Sequence, residues 1–153
     1  MFTSGRWQND WQTYRRRPAE HQAMGYISPY GGATQGHPFA FDYATGGTRL
    51  QKDRWHMLCF TYDLKMIRVY VDARLDVNGN SNPFVYTGPI YDGGESGADF
   101  TVAQRDHPEW PTYPEGLPKY QEGFDGRMAG LAVYDRTLTD DEIGGLFRTT
   151  MKR

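Results

Sequence analysis

The chain of 153 residues is long enough to bury one hydrophobic core. Its 18 glycines, 9 prolines and 15% aromatic residues suit short strands joined by many turns, and its net charge of −2 gives no reason to expect nucleic-acid binding. No apolar stretch is long enough for a membrane span, and the N-terminus lacks the apolar core of a signal peptide.

Residues 1–23 form a polar arm that carries aromatic side chains and a run of arginines. These residues are Trp7, Trp11, Tyr14, Arg15, Arg16 and Arg17. Exposed aromatic groups in a polar segment usually dock on a surface, and a short basic run is more often a solvated or partner-contacting element than a phosphate site. We therefore predict an arm over residues 1–23 that docks on a partner protein or on the domain itself, followed by one domain over residues 24–153.

Strands are predicted over Met24–Tyr30 and Phe39–Thr45, on either side of a glycine-rich loop. Residues 55–73 then predict a β-hairpin with a tight connection at Asp63-Leu64. In its second strand the apolar residues alternate with polar ones, which indicates one core face and one more polar face. Cys59 lies within the first strand, which favours a buried thiol.

The polar loop after the hairpin carries an oxygen-bearing side chain at every second position. These residues are Asp76, Asn78, Asn80 and Asn82. Calcium takes several oxygen ligands from a flexible loop, so the spacing suggests a weak calcium site with one carboxylate. Asparagine and glycine are also ordinary turn formers, and the plain-turn interpretation stays open beside the metal one.

A further strand is predicted over Asp99–Gln104, and a proline-rich aromatic loop follows over residues 106–123. Its candidate ligand-binding residues are His107, Glu109, Trp110, Tyr113, Glu115 and Tyr120. Sugar rings stack on aromatic rings, carboxylates accept hydrogen bonds from hydroxyl groups, and binding residues commonly lie on loops of a rigid scaffold. The alternative is that the prolines stiffen the loop and Trp110 packs on the domain.

The C-terminal region predicts a strand followed by a short helix. Residues 128–134 alternate with apolar residues on both faces, which is typical of a strand buried between layers. Thr139 and Glu142 have the spacing of a capping box. Ile143, Leu146 and Phe147 then give the helix one apolar face.

Several short motifs occur in a recognisable order. They are Trp55-His56, Thr61-Tyr62-Asp63, Tyr70-Val71-Asp72, Phe124-Asp125-Gly126, Tyr134-Asp135-Arg136, and Leu138-Thr139 with Glu142-Ile143. Over roughly residues 38–147 this order resembles the laminin-G-like, concanavalin A-like jelly-roll family, which includes the pentraxins. The chain departs from that pattern at Ala73, where the family usually has glycine, in a long insert before Phe124, and at its start.

The resemblance implies an all-β fold: a two-sheet antiparallel jelly-roll sandwich with one short C-terminal helix. Such domains usually carry several strands before the position of Phe39, and residues 1–37 do not obviously supply them. The sandwich is therefore expected to lack early strands, or to receive one from a partner. The resemblance also implies an extracellular or surface-exposed location, and it favours calcium.

Catalysis is not expected from this sequence. Hydrolases of this fold place paired carboxylates on one strand as Glu-x-Asp-x-x-Glu, and the sequence has no such motif. The four histidines lack metal-ligand spacing. Two hypotheses remain: a lectin-like carbohydrate-binding module, with or without calcium, or a structural subunit that joins an oligomer or larger complex through its arm and sheet edges.

Overall fold

The computed structural model describes residues 22–27, 42–90 and 126–151. In chain order the elements are β1 (Gln22–Tyr26), β2 (Tyr43–Arg49), β3 (Leu58–Tyr62), β4 (Met66–Val71), β5 (Arg74–Leu75), β6 (Phe84–Val85) and α1 (Asp140–Thr150). Residues 1–21 of the arm, the Asp99–Gln104 segment and the aromatic loop lie outside the described residues. The predictions about them, including the division between arm and domain at residues 23 and 24, stay predictions.

The strands form two antiparallel sheets. The first pairs β1 with β2, and the second pairs β3 with β4. The other edge of β4 is shared: β5 pairs with its C-terminal half and β6 with its N-terminal half. This mostly β arrangement, with its short C-terminal helix, is consistent with the predicted jelly-roll sandwich.

The main core lies between the two sheets. Ile67, Val69 and Val71 of β4 face Ala23 and Ala44 of the other sheet. Ile67 and Val69 are fully buried, which confirms the core face that was predicted from the alternation. Burial of each such side chain contributes about 1.5–3 kcal/mol, so this face of β4 supplies much of the stability of the sandwich.

The opposite face of β4 was predicted to be the more polar one, but Tyr70 on this face lies in an apolar environment. Tyr70 is buried against Leu138 and Ile143, and its hydroxyl donates a hydrogen bond to Asp140 Oδ1 at 2.9 Å. Burial, together with the carboxylate of Asp140, raises the pKa of Tyr70 to about 12. Helix α1 therefore covers a face that alternation alone could not identify as covered.

The hairpin prediction is confirmed: β3 and β4 meet at the expected connection, where Leu64 has a φ of 66°. The two earlier strands are displaced from their predicted bounds, because β1 begins at Gln22 and β2 extends to Arg49. Cys59 is half-buried, and burial raises the pKa of its thiol, so the thiolate is disfavoured.

The prediction of a strand over residues 128–134 is wrong. No strand is present there, and the segment is exposed along its whole length. Gly130 has a φ of 68°, which interrupts extended geometry, and no described strand pairs with the segment. The alternation gave the apolar character of the segment correctly but not its burial.

Asn82 fills the gap between β5 and β6 on the shared edge of β4. Its side chain is fully buried: Oδ1 accepts from Val69 N at 3.0 Å, and Nδ2 donates to Val69 O at 2.8 Å. Nδ2 also donates to Asp76 O at 2.7 Å. The amide thus replaces a peptide group of a neighbouring strand and satisfies the buried N–H of Val69, whose C=O also accepts from Asp76 N at 3.0 Å.

We predict that Asn82→Ala lowers the free energy of unfolding by about 3 kcal/mol, because it leaves the buried N–H of Val69 unpaired and opens a cavity. Asn80→Ala is the matched control, since Asn80 lies in the same loop and is exposed. Chemical denaturation followed by circular dichroism measures both variants. Equal stability of the two variants would contradict the proposed role of Asn82.

The start of α1 has the predicted capping box. Thr139 Oγ1 accepts from Glu142 N at 3.3 Å, and Thr139 N donates to Glu142 Oε2 at 2.8 Å. Arg136 adds a two-pronged ion pair, with Nη2 at 2.7 Å from Glu142 Oε1 and Nη1 at 2.9 Å from Oε2. The Arg136 guanidinium and the Thr139 backbone lower the pKa of Glu142 from 4.5 to about 2.

A lowered pKa fixes the direction of the acid response. The charged carboxylate contributes stability above pH 4.5, and this contribution is lost as the pH falls towards 2. We predict that Glu142→Gln, which keeps the capping hydrogen bonds, removes this component of acid destabilisation. Melting temperatures from pH 5 to 2 test it, with Asp141→Asn as the control in the same helical turn. A Glu142→Gln profile parallel to wild type would contradict the prediction.

Candidate functional site

Of the site residues predicted from sequence, the structure describes only the loop of alternating oxygen ligands. The aromatic-loop residues (His107, Glu109, Trp110, Tyr113, Tyr120) and the arm residues (Trp7, Trp11, Tyr14, Arg15, Arg16, Arg17) lie outside the described residues. Their ligand-binding and docking roles therefore stay predictions.

Asp76 joins the polar loop to β2. Its two carboxylate oxygens each accept from Thr48 N at 3.0 Å, and Oδ1 also accepts from Thr48 Oγ1 at 2.7 Å. Gly46 lies so close that a Cβ at that position would overlap the Asp76 carboxylate. Glycine is therefore required at this approach between the strand and the loop.

The asparagines of the loop contact different parts of the backbone. Asn78 Nδ2 donates to the carbonyls of Thr45 and Gly46, Asn82 holds Val69, and Asn80 is exposed. These hydrogen bonds account for three of the four side chains without a metal, so their donor arrangement does not itself favour one shared calcium site. Calcium binding stays a prediction that titration has to test.

A surface that the sequence prediction treated as scaffold lies in the turn before β3. Trp55 is 53% exposed, and Lys52 and Arg54 beside it are exposed as well. We call these three residues the Trp55 surface. An exposed indole flanked by cationic groups can stack on a flat apolar face while nitrogen donors bind oxygen atoms around it.

The turn that carries Trp55 is held to the sheet by His56. Nε2 of His56 accepts from Gln51 N at 3.3 Å, so the proton of the neutral ring is assigned to Nδ1, which donates to Asp72 Oδ2 at 2.9 Å. The other oxygen of Asp72 accepts from Met57 N at 3.0 Å. This contact places the Trp55 surface at the end of the sheet where β4 turns into β5.

The turn between β4 and β5 is tight. Asp72 and Ala73 have φ values of 50° and 64°, as a two-residue type I′ turn requires. Ala73 is the position at which the resemblance predicts glycine, so the departure places a Cβ in the left-handed region at a cost of about 1 kcal/mol. The exposed Arg74 follows directly and adds a third cation at this end of the sheet.

Side chains that could ligate a metal are dispersed over the described residues. Among them, no group of three histidine, cysteine or acidic side chains is placed to hold a metal ion. In residues 42–90 the carboxylates of three aspartates accept hydrogen bonds from neighbouring side chains: Asp63 from Arg68, Asp72 from His56, and Asp76 from Thr48. What this part of the chain offers to a ligand is contact area, cations and hydrogen-bond donors.

Sequence reasoning missed the Trp55 surface because Trp55-His56 matched a scaffold position of the family. The pattern Lys-Asp-Arg-Trp, with two cations just before an aromatic residue in a turn, could have indicated it. Alternation and capping rules do not report on such a turn, since it belongs to neither a strand nor a helix.

Residues 22–144 match a laminin-G-type family model described as the concanavalin A-like lectin/glucanases superfamily. A search of curated proteins gave no match. The chain is also similar to a crystal structure of residues 221–444 of an S-layer domain-containing protein from Clostridium thermocellum, with 20% identity and a TM-score of 0.48. That similarity covers 69% of this chain and 44% of that structure.

The family match spans four fifths of the chain and includes every strand and the beginning of α1. It agrees with the two antiparallel sheets, the helix and the motifs quoted from the sequence. No helix among the described residues has the length and apolar character that a bilayer crossing needs. This chain belongs to the concanavalin A-like lectin/glucanase superfamily.

Proposed function

We propose that this chain is a non-catalytic glycan-binding domain that acts outside the cell or on its surface. The observation that carries the proposal is the Trp55 surface: an exposed indole, held by the His56–Asp72 hydrogen bond, with Lys52 and Arg54 beside it. The name of the superfamily joins lectins with glucanases, so membership alone leaves both binding and hydrolysis open.

One feature of the sequence and one of the structure support binding over hydrolysis. The chain lacks the Glu-x-Asp-x-x-Glu strand motif, and the carboxylates near Trp55 are held by His56 or lie on an exposed turn. A retaining glycosidase needs two carboxyl groups about 5 Å apart across the scissile bond. The proposed activity is therefore recognition of a sugar without its cleavage.

The charge around Trp55 points to the class of glycan. Lys52, Arg54 and Arg74 are exposed at the same end of the sheet, and Asp53 is the exposed acid among them. Cations favour ligands that carry carboxylate or sulfate groups, and screening weakens such binding at high salt. Acidic sugars are expected to bind more tightly than neutral ones, and the Trp110 loop is the second candidate surface.

The test begins with a glycan array and continues with calorimetry on the best ligand. Trp55→Ala is expected to weaken binding by about tenfold, roughly 1.4 kcal/mol, because the stacking platform is removed. Leu64→Ala is the matched control: Leu64 is 61% exposed and lies at the opposite end of the hairpin. Its affinity should equal that of wild type.

The remaining arms of the experiment separate the alternatives. Loss of binding in Trp110→Ala but not in Trp55→Ala would move the site to the aromatic loop. Loss of binding in chelator, restored by calcium, would support the calcium prediction for Asp76–Asn82. A chain that binds no glycan with or without calcium would overturn the proposed function.

A second candidate function is that of a structural subunit in a larger assembly. The observation that favours it is the exposed apolar segment at residues 128–134. Large exposed apolar side chains in sequence commonly mark contacts between proteins.

A further inference from the structure

The segment 127–135 exposes an unusual amount of apolar surface. Met128, Leu131, Val133 and Tyr134 are 54%, 62%, 77% and 45% exposed, respectively. Isolated exposed apolar residues are normal, but four within seven positions concentrate apolar surface in one short segment. We call residues 127–135 the exposed segment.

The backbone of the exposed segment pairs with no described strand. It contains no strand, and its backbone makes no hydrogen bond with another described element. Its C-terminal end is nevertheless fixed, because Thr137 Oγ1 donates to Tyr62 O at 2.7 Å and Leu138 is buried in the helix core. A stretch with strand-forming alternation is thus anchored at one end, and its peptide groups are unpaired among the residues that the structure describes.

The charges at the two ends of the segment are opposite. Arg127 begins it and Asp135 ends it, and neither forms an ion pair among the described residues. Arg136 is different, since Glu142 holds its guanidinium at 2.7 Å. The free charges therefore lie four positions before and four positions after Leu131.

This spacing makes the segment complementary to itself. When two copies run antiparallel about a twofold axis at Leu131, Arg127 of each lies opposite Asp135 of the other, and Met128 lies opposite Tyr134. Opposite charges and apolar pairs directly across an antiparallel ladder are both favourable. A twofold contact uses the same surface on both chains, so each favourable pair occurs twice.

We propose that the exposed segment pairs with the same segment of a second copy, forming a twofold-symmetric dimer through an intermolecular antiparallel ladder centred on Leu131. Gly130 has to move from its φ of 68° to an extended value, a change that glycine makes at little cost. The ladder pairs the peptide groups of the two copies with one another, and apolar side chains of the two copies make cross-strand contacts on both faces of the ladder.

Sedimentation of the full chain over a concentration series tests the dimer. Wild type is expected to show a reversible monomer–dimer equilibrium. Asp135→Arg places arginine opposite arginine twice and should weaken the dimer by about tenfold or more. The double variant Arg127→Asp with Asp135→Arg exchanges the charges and should restore dimerisation, a result that a change of fold stability would not produce.

Leu131→Glu provides an independent test, because the two carboxylates would meet on the axis and the dimer should be lost. Val77→Glu is the matched control, since Val77 is 64% exposed on the loop after β5, and it should dimerise like wild type. Circular dichroism checks that each variant is folded. A wild type that is monomeric at all concentrations, or a charge exchange that fails to restore the dimer, would overturn the proposal.

Discussion

The fold depends on the hydrogen bonds that the Asn82 amide makes with Val69. Val69 lies where β4 loses one neighbour and gains another. Its C=O also accepts from Asp76 N at 3.0 Å, but its N–H would be buried without a partner if the Asn82 amide were removed. Asn82 supplies one donor and one acceptor in the positions of a peptide group. The chain can therefore leave the sheet after β5, make a loop, and return as β6 without a gap in the ladder.

That excursion also joins the two sheets. In the loop between β5 and β6, Ser81 O accepts from Thr45 N at 2.9 Å, and the Asp76 carboxylate accepts from Thr48. These hydrogen bonds join the loop to β2. A polar loop thus provides directional contacts between sheets whose core contact is apolar and non-directional. The side chains whose spacing suggested a metal site, Asp76 and Asn78, instead hold the loop against β2 and so fix the position of one sheet relative to the other.

Sequence reasoning gave the hairpin, the inward face of β4 and the capped helix, because each depends on a local period or a fixed spacing. It could not predict that α1 covers Tyr70, because the contacting residue Ile143 lies more than seventy positions away in the sequence. It also misjudged residues 128–134, because alternation reports apolar character and not the presence of a neighbour. The Trp55 surface escaped prediction for a similar reason: exposure of a turn residue is a tertiary property.

The anchors of the two proposed surfaces lie at opposite ends of the second sheet. The exposed segment is anchored beside Tyr62 at the end of β3, whereas His56 fixes the Trp55 surface beside Asp72 at the end of β4. Five residues of antiparallel ladder separate these two anchors. A dimer in which both Trp55 surfaces stay open would carry two glycan sites. Two weak sites on one dimer would bind a repeating polymer far more tightly than either alone, because the second contact becomes intramolecular. In this arrangement self-association and glycan binding reinforce each other, and the choice between a lectin and an assembly subunit ceases to be exclusive.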